Sequence, residues 1–342
     1  MKRFLHLAAL APSLVFRMVV WARNRTFDWG LRRISHLERP VFSVGNLAMG
    51  GTGKSPVVSS LTAMLTGMGI RVAVLSRGYR RRGRKTSLRV KADTDWRVGG
   101  DEPLMIARQN PAAAVFVGPS RAAAASAASG WDPGVFLLDD GFQHRQLHRD
   151  LDLVLLDVTQ PPPSLMASFF REGWRALKRA DAVVLTRCPP ERDVSDWIAR
   201  IHTAVPGLPI HRVWFEPRGL VGLDGTRQPL AFLRGKRVAA YCGIAKPDQF
   251  FGSLSALGAR LVATHPLADH RAAPAALLAE WASRCHAAGD LDLIVTTAKD
   301  AVKLDRASGF GIYIYALSIE AVWEKRDHIA QWLQSCSCKE NE

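Results

Sequence analysis

The sequence predicts an α/β protein: a largely parallel sheet covered by helices, followed by a second, smaller α/β unit. Three observations predict it. Over Val41 to Ser55 an apolar strand runs into a glycine-rich turn, and the turn ends in Gly53-Lys54-Ser55 before the helical run Val57 to Met68. Gly134 to Asp140 is a second apolar strand, and it ends in paired aspartates. Between and beyond these, short apolar runs alternate with helical runs, as parallel strands joined by crossover helices require.

The chain begins with an apolar segment, Phe4 to Ala22, interrupted by His6, Pro12 and Arg17. Phe4, Leu7, Ala11, Leu14, Met18 and Trp21 fall on one stripe at helical spacing. Arg17 and Pro12 argue against a membrane-spanning helix. Arg17 also argues against a signal peptide, despite Lys2-Arg3 in front and Val20-Trp21-Ala22 behind. An amphipathic helix lying in a membrane interface is the favoured reading, and an N-terminal helix packed on the core is the alternative. Arg23, Arg25, Arg32, Arg33 and Arg39 follow, opposed only by Asp28 and Glu38, which suits anionic headgroups.

The turn after the first strand has the layout of a phosphate-binding loop, so the fold class is P-loop NTPase-like. Glycines let backbone N–H groups curl round a phosphate, and the following helix adds the positive end of its dipole. Ala48, Met49, Gly50, Gly51, Thr52, Gly53, Lys54 and Ser55 are the expected ATP-binding residues. Lys54 is expected on the β- and γ-phosphates and the Ser55 hydroxyl on Mg²⁺. The standard spacing puts the first glycine at position 48, which is Ala48, leaving Gly50 and Gly51 to supply the flexibility.

Arg71 to Ser76 reads as a buried strand, closed by Arg77-Gly78-Tyr79 and a basic run from Arg80 to Lys85. Asp101-Glu102-Pro103 opens a helix over Leu104 to Gln109, where Asp101 suits either an N-cap or a chemical role. Ala114 to Val117 is a strand, and Ser120-Arg121 begins an alanine-rich helix. The strand ending in Asp139-Asp140 resembles a Walker B element, with carboxylates placed to act on Mg²⁺ directly or through water. Asp152 to Asp157 and Ala182 to Thr186 are further strands, with a helix starting at Arg171-Glu172-Gly173 between them.

Ile210 to Phe215 and Gly219 to Leu223 read as a two-stranded connection. Val238 to Cys242, Arg260 to Thr264, Leu291 to Thr297 and Ile312 to Leu317 then alternate with helical runs, and Glu320 to Leu333 is a closing helix. The expected organisation is a membrane-associated segment over 1–39, a P-loop domain over 40–209, a two-stranded linker over 210–233 and a smaller α/β domain over 234–335.

The 342 residues carry a formal net charge of +15, which favours anionic partners such as nucleic acid, acidic lipid or phosphorylated substrates. A nucleic-acid surface would interleave aromatics with its basic run, and Arg77 to Lys85 offers only Tyr79. Five scattered cysteines do not form a disulfide framework, which points to a reducing compartment. Cys336 and Cys338 in a polar tail lack a second pair for a metal site.

Several motifs occur together and in order: Val44-Gly45-Asn46-Leu47, Gly50 to Pro56, Ser76-Arg77-Gly78-Tyr79, Gly100-Asp101-Glu102-Pro103 and Asp139-Asp140-Gly141-Phe142-Gln143-His144. Arg171-Glu172, Leu177 to Asp181, Gly243-Ile244-Ala245, Asp269-His270 and Lys299 to Leu304 follow. With these the chain resembles the tetraacyldisaccharide 4′-kinase family, the lipid A 4′-kinases of Gram-negative bacteria, over nearly its whole length. The resemblance implies transfer of the ATP γ-phosphate to the 4′-hydroxyl of a tetraacylated glucosamine disaccharide 1-phosphate, the lipid A precursor. It implies a membrane-associated protein on the cytoplasmic face of the inner membrane; with the arginines noted above the expected partner is an anionic membrane surface, and neither nucleic acid nor a protein partner is expected. It implies two α/β domains joined by a β-ribbon, with the active site in the cleft.

By the same resemblance, Asp101 and His270 form a catalytic acid–base pair, and Asp139, Asp140, Gln143 and Glu172 lie near metal and nucleotide together with Ser55. Lys54, Arg77 and Arg121 are expected to stabilise transferring charge, with Glu102 as a further substrate or phosphate contact. Two departures stand out: Ala298 where the family usually has Glu, and Ser55 where it more often has Thr. The competing reading is a regulatory P-loop NTPase, a nucleotide-switched binding module. It rests on the phosphate loop and the positive charge, and it lacks a guanine-reading Asn-Lys-x-Asp; Thr186-Arg187-Cys188-Pro189 stands in the comparable place.

Overall fold

The computed structural model describes the chain apart from residues 1–17, 49, 80, 164–169, 269–270, 289, 305–311 and 338–342. Its first described element is helix α1, residues 18–28. In the first half follow β1 (Val41–Asn46), α2 (Lys54–Gly67), β2 (Val72–Ser76), β3 (Leu88–Val90), α3 (Trp96–Gly99), α4 (Asp101–Gln109), β4 (Ala114–Val117), α5 (Arg121–Ala128), β5 (Val135–Asp139), β6 (Leu151–Asp157), β7 (Ala182–Thr186) and α6 (Ser195–Ala204). The second half adds β8 (Ile210–Gly222), β9 (Arg227–Gln228), β10 (Arg237–Cys242), α7 (Pro247–Ala256), β11 (Arg260–Pro266), α8 (Ala275–Ala288), β12 (Leu293–Thr297), α9 (Ala298–Ala301), β13 (Ile314–Trp323) and α10 (Arg326–Ser337).

The strands form one sheet in the order β11-β10-β12-β13-β8-β7-β6-β1-β5-β2-β4-β3, with β9 beside β8. Pairing is parallel on both sides of β1, to β5 and β6, and through most of each half. The expected helix-covered, largely parallel α/β sheet is the observed fold. Strands β1, β2, β4, β5, β6 and β7 are buried on both faces, so they read as continuous apolar runs rather than alternating ones, whereas the edge strand β11 alternates exposed and half-buried residues. In β2, Val72 and Val74 pack beneath α2 and α4, while Ala73 and Leu75 pack with α5 on the opposite face. Because β5 and β6 flank β1, the order reverses at β1, and the crevice at its C-terminal end is the place where such sheets hold ligands.

The two halves meet where β8 runs antiparallel to β13, from Val213 against Trp323 to Gly222 against Tyr315. Two expectations change here. The runs 210–215 and 219–223 are not two strands; Ile210–Gly222 is one, and its long partner is β13. Residues 320–323 are strand rather than the start of the closing helix, because Ala321 and Trp323 are buried while paired with β8. Helix α10 then packs back on the first half: Ile329 and Leu333 join the core beneath α2, and Trp323 Nε1 donates to Ser60 Oγ at 3.0 Å. Among the described residues no helix is long and apolar enough to cross a membrane.

Candidate active site

The loop from Leu47 to Gly53 is pinned from several sides. Asn46 Nδ2 donates to Thr52 Oγ1 at 2.8 Å, Thr186 Oγ1 donates to the Thr52 carbonyl at 2.9 Å, and Arg187 donates to the Gly51 carbonyl at 3.2 Å. Ala48 forms a bridge with Phe170. Gly53 is the residue before α2 and has φ +84°, the left-handed region. A Cβ there would also overlap the ring of Phe215 on β8, so glycine is required twice over. Lys54 and Ser55 are the first two residues of α2, at the positive end of its dipole. Met49 lies outside the described residues.

Lys54 reaches across to the end of β5. Its ammonium is 3.5 Å from Asp140 Oδ1. Asp140 has φ +54°, which turns the chain away from the strand direction of Asp139. Its carboxylate also receives Arg171 Nη1 at 3.1 Å on both oxygens. Burial pushes the Asp140 carboxyl up, but Lys54 and Arg171 outweigh that and hold it below the ordinary carboxylate value. Asp139 is the opposite case. Burial, then the charges of Glu102 and Asp140, push it up to about 6, against the pull of Arg121 and Lys54. Ser76 Oγ donates to Asp139 at 3.0 Å, and the buried Arg121 donates to the Asp139 carbonyl at 2.5 Å. Arg121 Nε finds no partner among the described residues. Arg77 is exposed and near enough to Arg121 for their charges to oppose each other.

A polar chain leads away from this pair. Arg171 Nη1 also donates to Gln143 Oε1 at 3.2 Å, and Gln143 Nε2 donates to the Asn46 carbonyl at 2.9 Å and to Glu172 Oε1 at 3.2 Å. Glu172 Oε2 receives Arg179 at 2.7 Å and Asn24 of α1 at 2.8 Å. Glu172 thus has protein donors on both oxygens and stands at the α1 end of the chain, while Asp140 stands at the Lys54 end. Helix α1 is docked on the same surface through buried Phe27, whose ring lies under the guanidinium groups of Arg23, Arg32 and Arg145. Its Met18, Val19 and Trp21 remain exposed, as do Trp29 and Leu31 just beyond it. The described part of the N-terminal segment therefore joins a core-packed face to an uncovered apolar one.

The second half closes the other side. Asp101 is the first residue of α4, with Gly100 in the N-cap position at φ +91°. Its Oδ1 accepts from the Glu102 N–H at 3.0 Å, and its Oδ2 lies 3.5 Å from Lys303 Nζ. Glu102 pairs with Lys299 at 3.1 Å. His270, the expected partner of Asp101, lies outside the described residues.

Sequence reasoning missed Arg171, Lys299, Lys303 and Phe215 as members of this region. Arg171 and the two lysines stood inside quoted motifs, so the signal was their position beside residues already singled out. Phe215 had no local signal, since only the strand pairing brings it to Gly53. Ala298 begins α9, and the neighbouring Lys299 makes the pair with Glu102.

Among the described residues no three His, Cys, Asp or Glu side chains converge closely enough to hold a metal by themselves. Mg²⁺ does not need such a cage: it takes one or two carboxylates and completes its shell with water and phosphate oxygens. Burial first, and then the neighbouring charges of Glu102 and Asp140, drive Asp139 upward; a divalent cation beside Asp139 and Asp140 would offset both, so the residues present fit Mg²⁺ held with a nucleotide.

A family model described as LpxK, tetraacyldisaccharide-1-P 4′-kinase, matches residues 5–337. The tetraacyldisaccharide 4′-kinase of Geobacter sulfurreducens is 38% identical over 330 residues, covering 93% of this chain and 90% of its own. That of Geobacter metallireducens is 39% identical over 327 residues, covering 92% and 93%. That of Syntrophotalea carbinolica is 43% identical over 277 residues, covering 78% and 74%. A crystal structure described as the "apo" form of LpxK from Aquifex aeolicus in complex with ATP superposes with a TM-score of 0.77 at 28% identity, covering 97% of this chain and 99% of that one.

Proposed function

Because the chain belongs to the tetraacyldisaccharide-1-P 4′-kinase family, we propose that the crevice at the end of β1 is where it binds ATP and moves the γ-phosphate to its lipid acceptor. The chain is an ATP-dependent kinase of lipid A biosynthesis, and its acceptor is the 4′-hydroxyl of a tetraacylated glucosamine disaccharide 1-phosphate. The observation that carries the site assignment is Lys54 at the start of α2, 3.5 Å from Asp140 at the end of β5.

Phosphoryl transfer needs little covalent help from a protein; it needs alignment and charge. Residues 48–55 cradle the phosphates through backbone N–H groups, with Lys54 as the cation on the transferring group. Ser55, Asp139 and Asp140 are the residues that would hold Mg²⁺, which when bound neutralises charge on the phosphate oxygens. Arg171 aligns Asp140, and Gln143 and Glu172 act one and two contacts further out. Arg121 is a second cation beside Asp139, and Arg77 contributes from the exposed rim. Asp101 takes the proton of the acceptor hydroxyl, with His270 as its partner, and Glu102 contacts substrate or phosphate. Residues 210–233 link the units 40–209 and 234–335, with hinge motion at Ile210 to Leu223 gating closure.

The acceptor is a lipid, and the exposed Met18, Val19, Trp21, Trp29 and Leu31 supply an apolar surface beside arginines on α1. That arrangement supports docking of residues 1–39 in an anionic membrane interface, at the cytoplasmic face of the inner membrane.

The test is acceptor dependence. ADP release should be slow with ATP alone and rise on adding the disaccharide acceptor, and Lys54→Ala should lower the acceptor-dependent rate by about 10²-fold or more in folded protein. Equal ADP release with and without acceptor would favour the switched binding module instead.

A further inference from the structure

Lys303 is a fully buried lysine that bridges the two halves. Its ammonium lies 2.9 Å from Asp300 Oδ1 and donates to the Arg271 carbonyl at 3.2 Å, both on the second half. Asp300 is itself fixed there: its Oδ2 receives the Gly243 N–H at 2.8 Å and the Thr297 hydroxyl at 2.7 Å. A buried ammonium already paired with an anchored carboxylate has little freedom left. From that fixed position it faces Asp101 Oδ2 on the first half at 3.5 Å. The other Asp101 oxygen accepts from the backbone of its own helix. Asp101 is therefore held by α4 on one oxygen and by the opposite half of the molecule on the other.

The neighbourhood ties this contact to the phosphate site. Glu102, the next residue, is close enough to Asp139 for its charge to act there, and it carries its own lysine, Lys299, from the same turn as Lys303. Helix α9 and the residues after it thus present one lysine to each of two adjacent carboxylates at the start of α4.

We propose that Lys303 is a positioning residue for Asp101: it aims the carboxylate, and it does so only when the second half is seated against α4. The proposal rests on the reading that Asp101 takes the proton of the acceptor hydroxyl. A misaimed base slows proton removal without weakening nucleotide binding, since among the described residues the polar partners of Lys303 are Asp300, Arg271 and Asp101, outside residues 48–55.

The experiment compares Lys303→Met and Lys303→Arg in the wild-type chain and in Asp101→Asn, with folding checked by thermal melting. Lys303→Met should lower kcat by about 10²-fold with KM for ATP within about threefold of wild type. Lys303→Arg, which keeps the cation, should retain more activity. In the Asp101→Asn background Lys303→Met should cost less than about twofold more, because residues acting through one group are non-additive. If Lys303→Met does not fold, the Lys303→Arg loss is read in the two backgrounds instead. A wild-type kcat in folded Lys303→Met, or the same loss in both backgrounds, overturns the positioning role. A wild-type kcat in Asp101→Asn removes its basis, and that outcome locates the failure in the reading of Asp101 rather than in Lys303.

Discussion

Asn24 of α1 donates to Glu172 Oε2 at 2.8 Å, and through Glu172, Gln143 and Arg171 it joins a polar chain that ends on Asp140 beside Lys54. The helix that presents an apolar face to its surroundings is thereby tied to the end of the phosphate site. Asn24→Ala removes one donor to a buried carboxylate that keeps Arg179, so the cost is about 1.5 kcal/mol, at the low end for hydrogen bonds to charged groups. A fall of a few degrees in Tm is expected, with kcat lowered less than by Lys54→Ala. Unchanged melting would mean that α1 is held by Phe27 and the arginines alone.

Gly53 separates the loop from α2 in the left-handed region, under Phe215. Gly53→Ala should cost roughly 1–2 kcal/mol for the backbone alone, with the overlap of Cβ and ring in addition. ATP affinity, measured by calorimetry, should fall sharply. Phe215→Ala in the same chain should recover the part due to overlap and leave the part due to φ. Wild-type ATP affinity in Gly53→Ala would contradict this geometry.

The raised Asp139 carboxyl predicts a pH dependence. Its ordinary value is 3.8, and burial with the neighbouring Glu102 and Asp140 charges takes it to about 6 in the folded chain. A carboxyl raised on folding contributes stability that is complete below its unfolded value and is lost as pH rises through the folded one. Stability of the nucleotide-free chain should therefore decline from about pH 4 to pH 6 on account of this group. A bound Mg²⁺ favours the anion, so affinity for Mg²⁺–ATP should rise over the same window and level off above it. Asp139→Asn should flatten the curve; a wild-type affinity independent of pH between 5 and 7 would count against Asp139 at the metal.

The phosphate loop and the aspartates at the end of β5 are legible in the sequence because each is a local pattern, a strand followed at fixed spacing by the residues that act. Strands β4 and β7 are legible for the same reason, as short apolar runs between turns. The seam between the halves is not. Residues 320–323 fit a helix as readily as a strand, and only pairing with β8, about a hundred residues earlier, decides the matter. Phe215 over Gly53 and Lys303 against Asp101 depend on that seam, so no spacing in the sequence could reveal them. The Glu172 contacts show a further limit: a motif can name a residue without saying that both its oxygens are taken by Asn24, Arg179 and Gln143.

The exposed residues on and after α1 predict membrane docking. Removing residues before Arg23, or replacing Trp21, Trp29 and Leu31 by Gln, should release the protein from anionic vesicles in a flotation assay while ATP still binds. Binding of the intact chain should weaken with salt, since the arginine contribution is screened. A substituted chain that floats as well as the intact one would place the docking surface elsewhere.

The central claim is transfer of a phosphate from ATP to the acceptor sugar. The most direct measurement is mass spectrometry of the tetraacylated disaccharide 1-phosphate after incubation with the purified chain, Mg²⁺ and ATP. The account predicts a product heavier by one phosphate group, located on the non-reducing sugar at its 4′-oxygen, formed by the wild-type chain and lost in Lys54→Ala. An unmodified acceptor in the presence of folded, ATP-binding protein would contradict it.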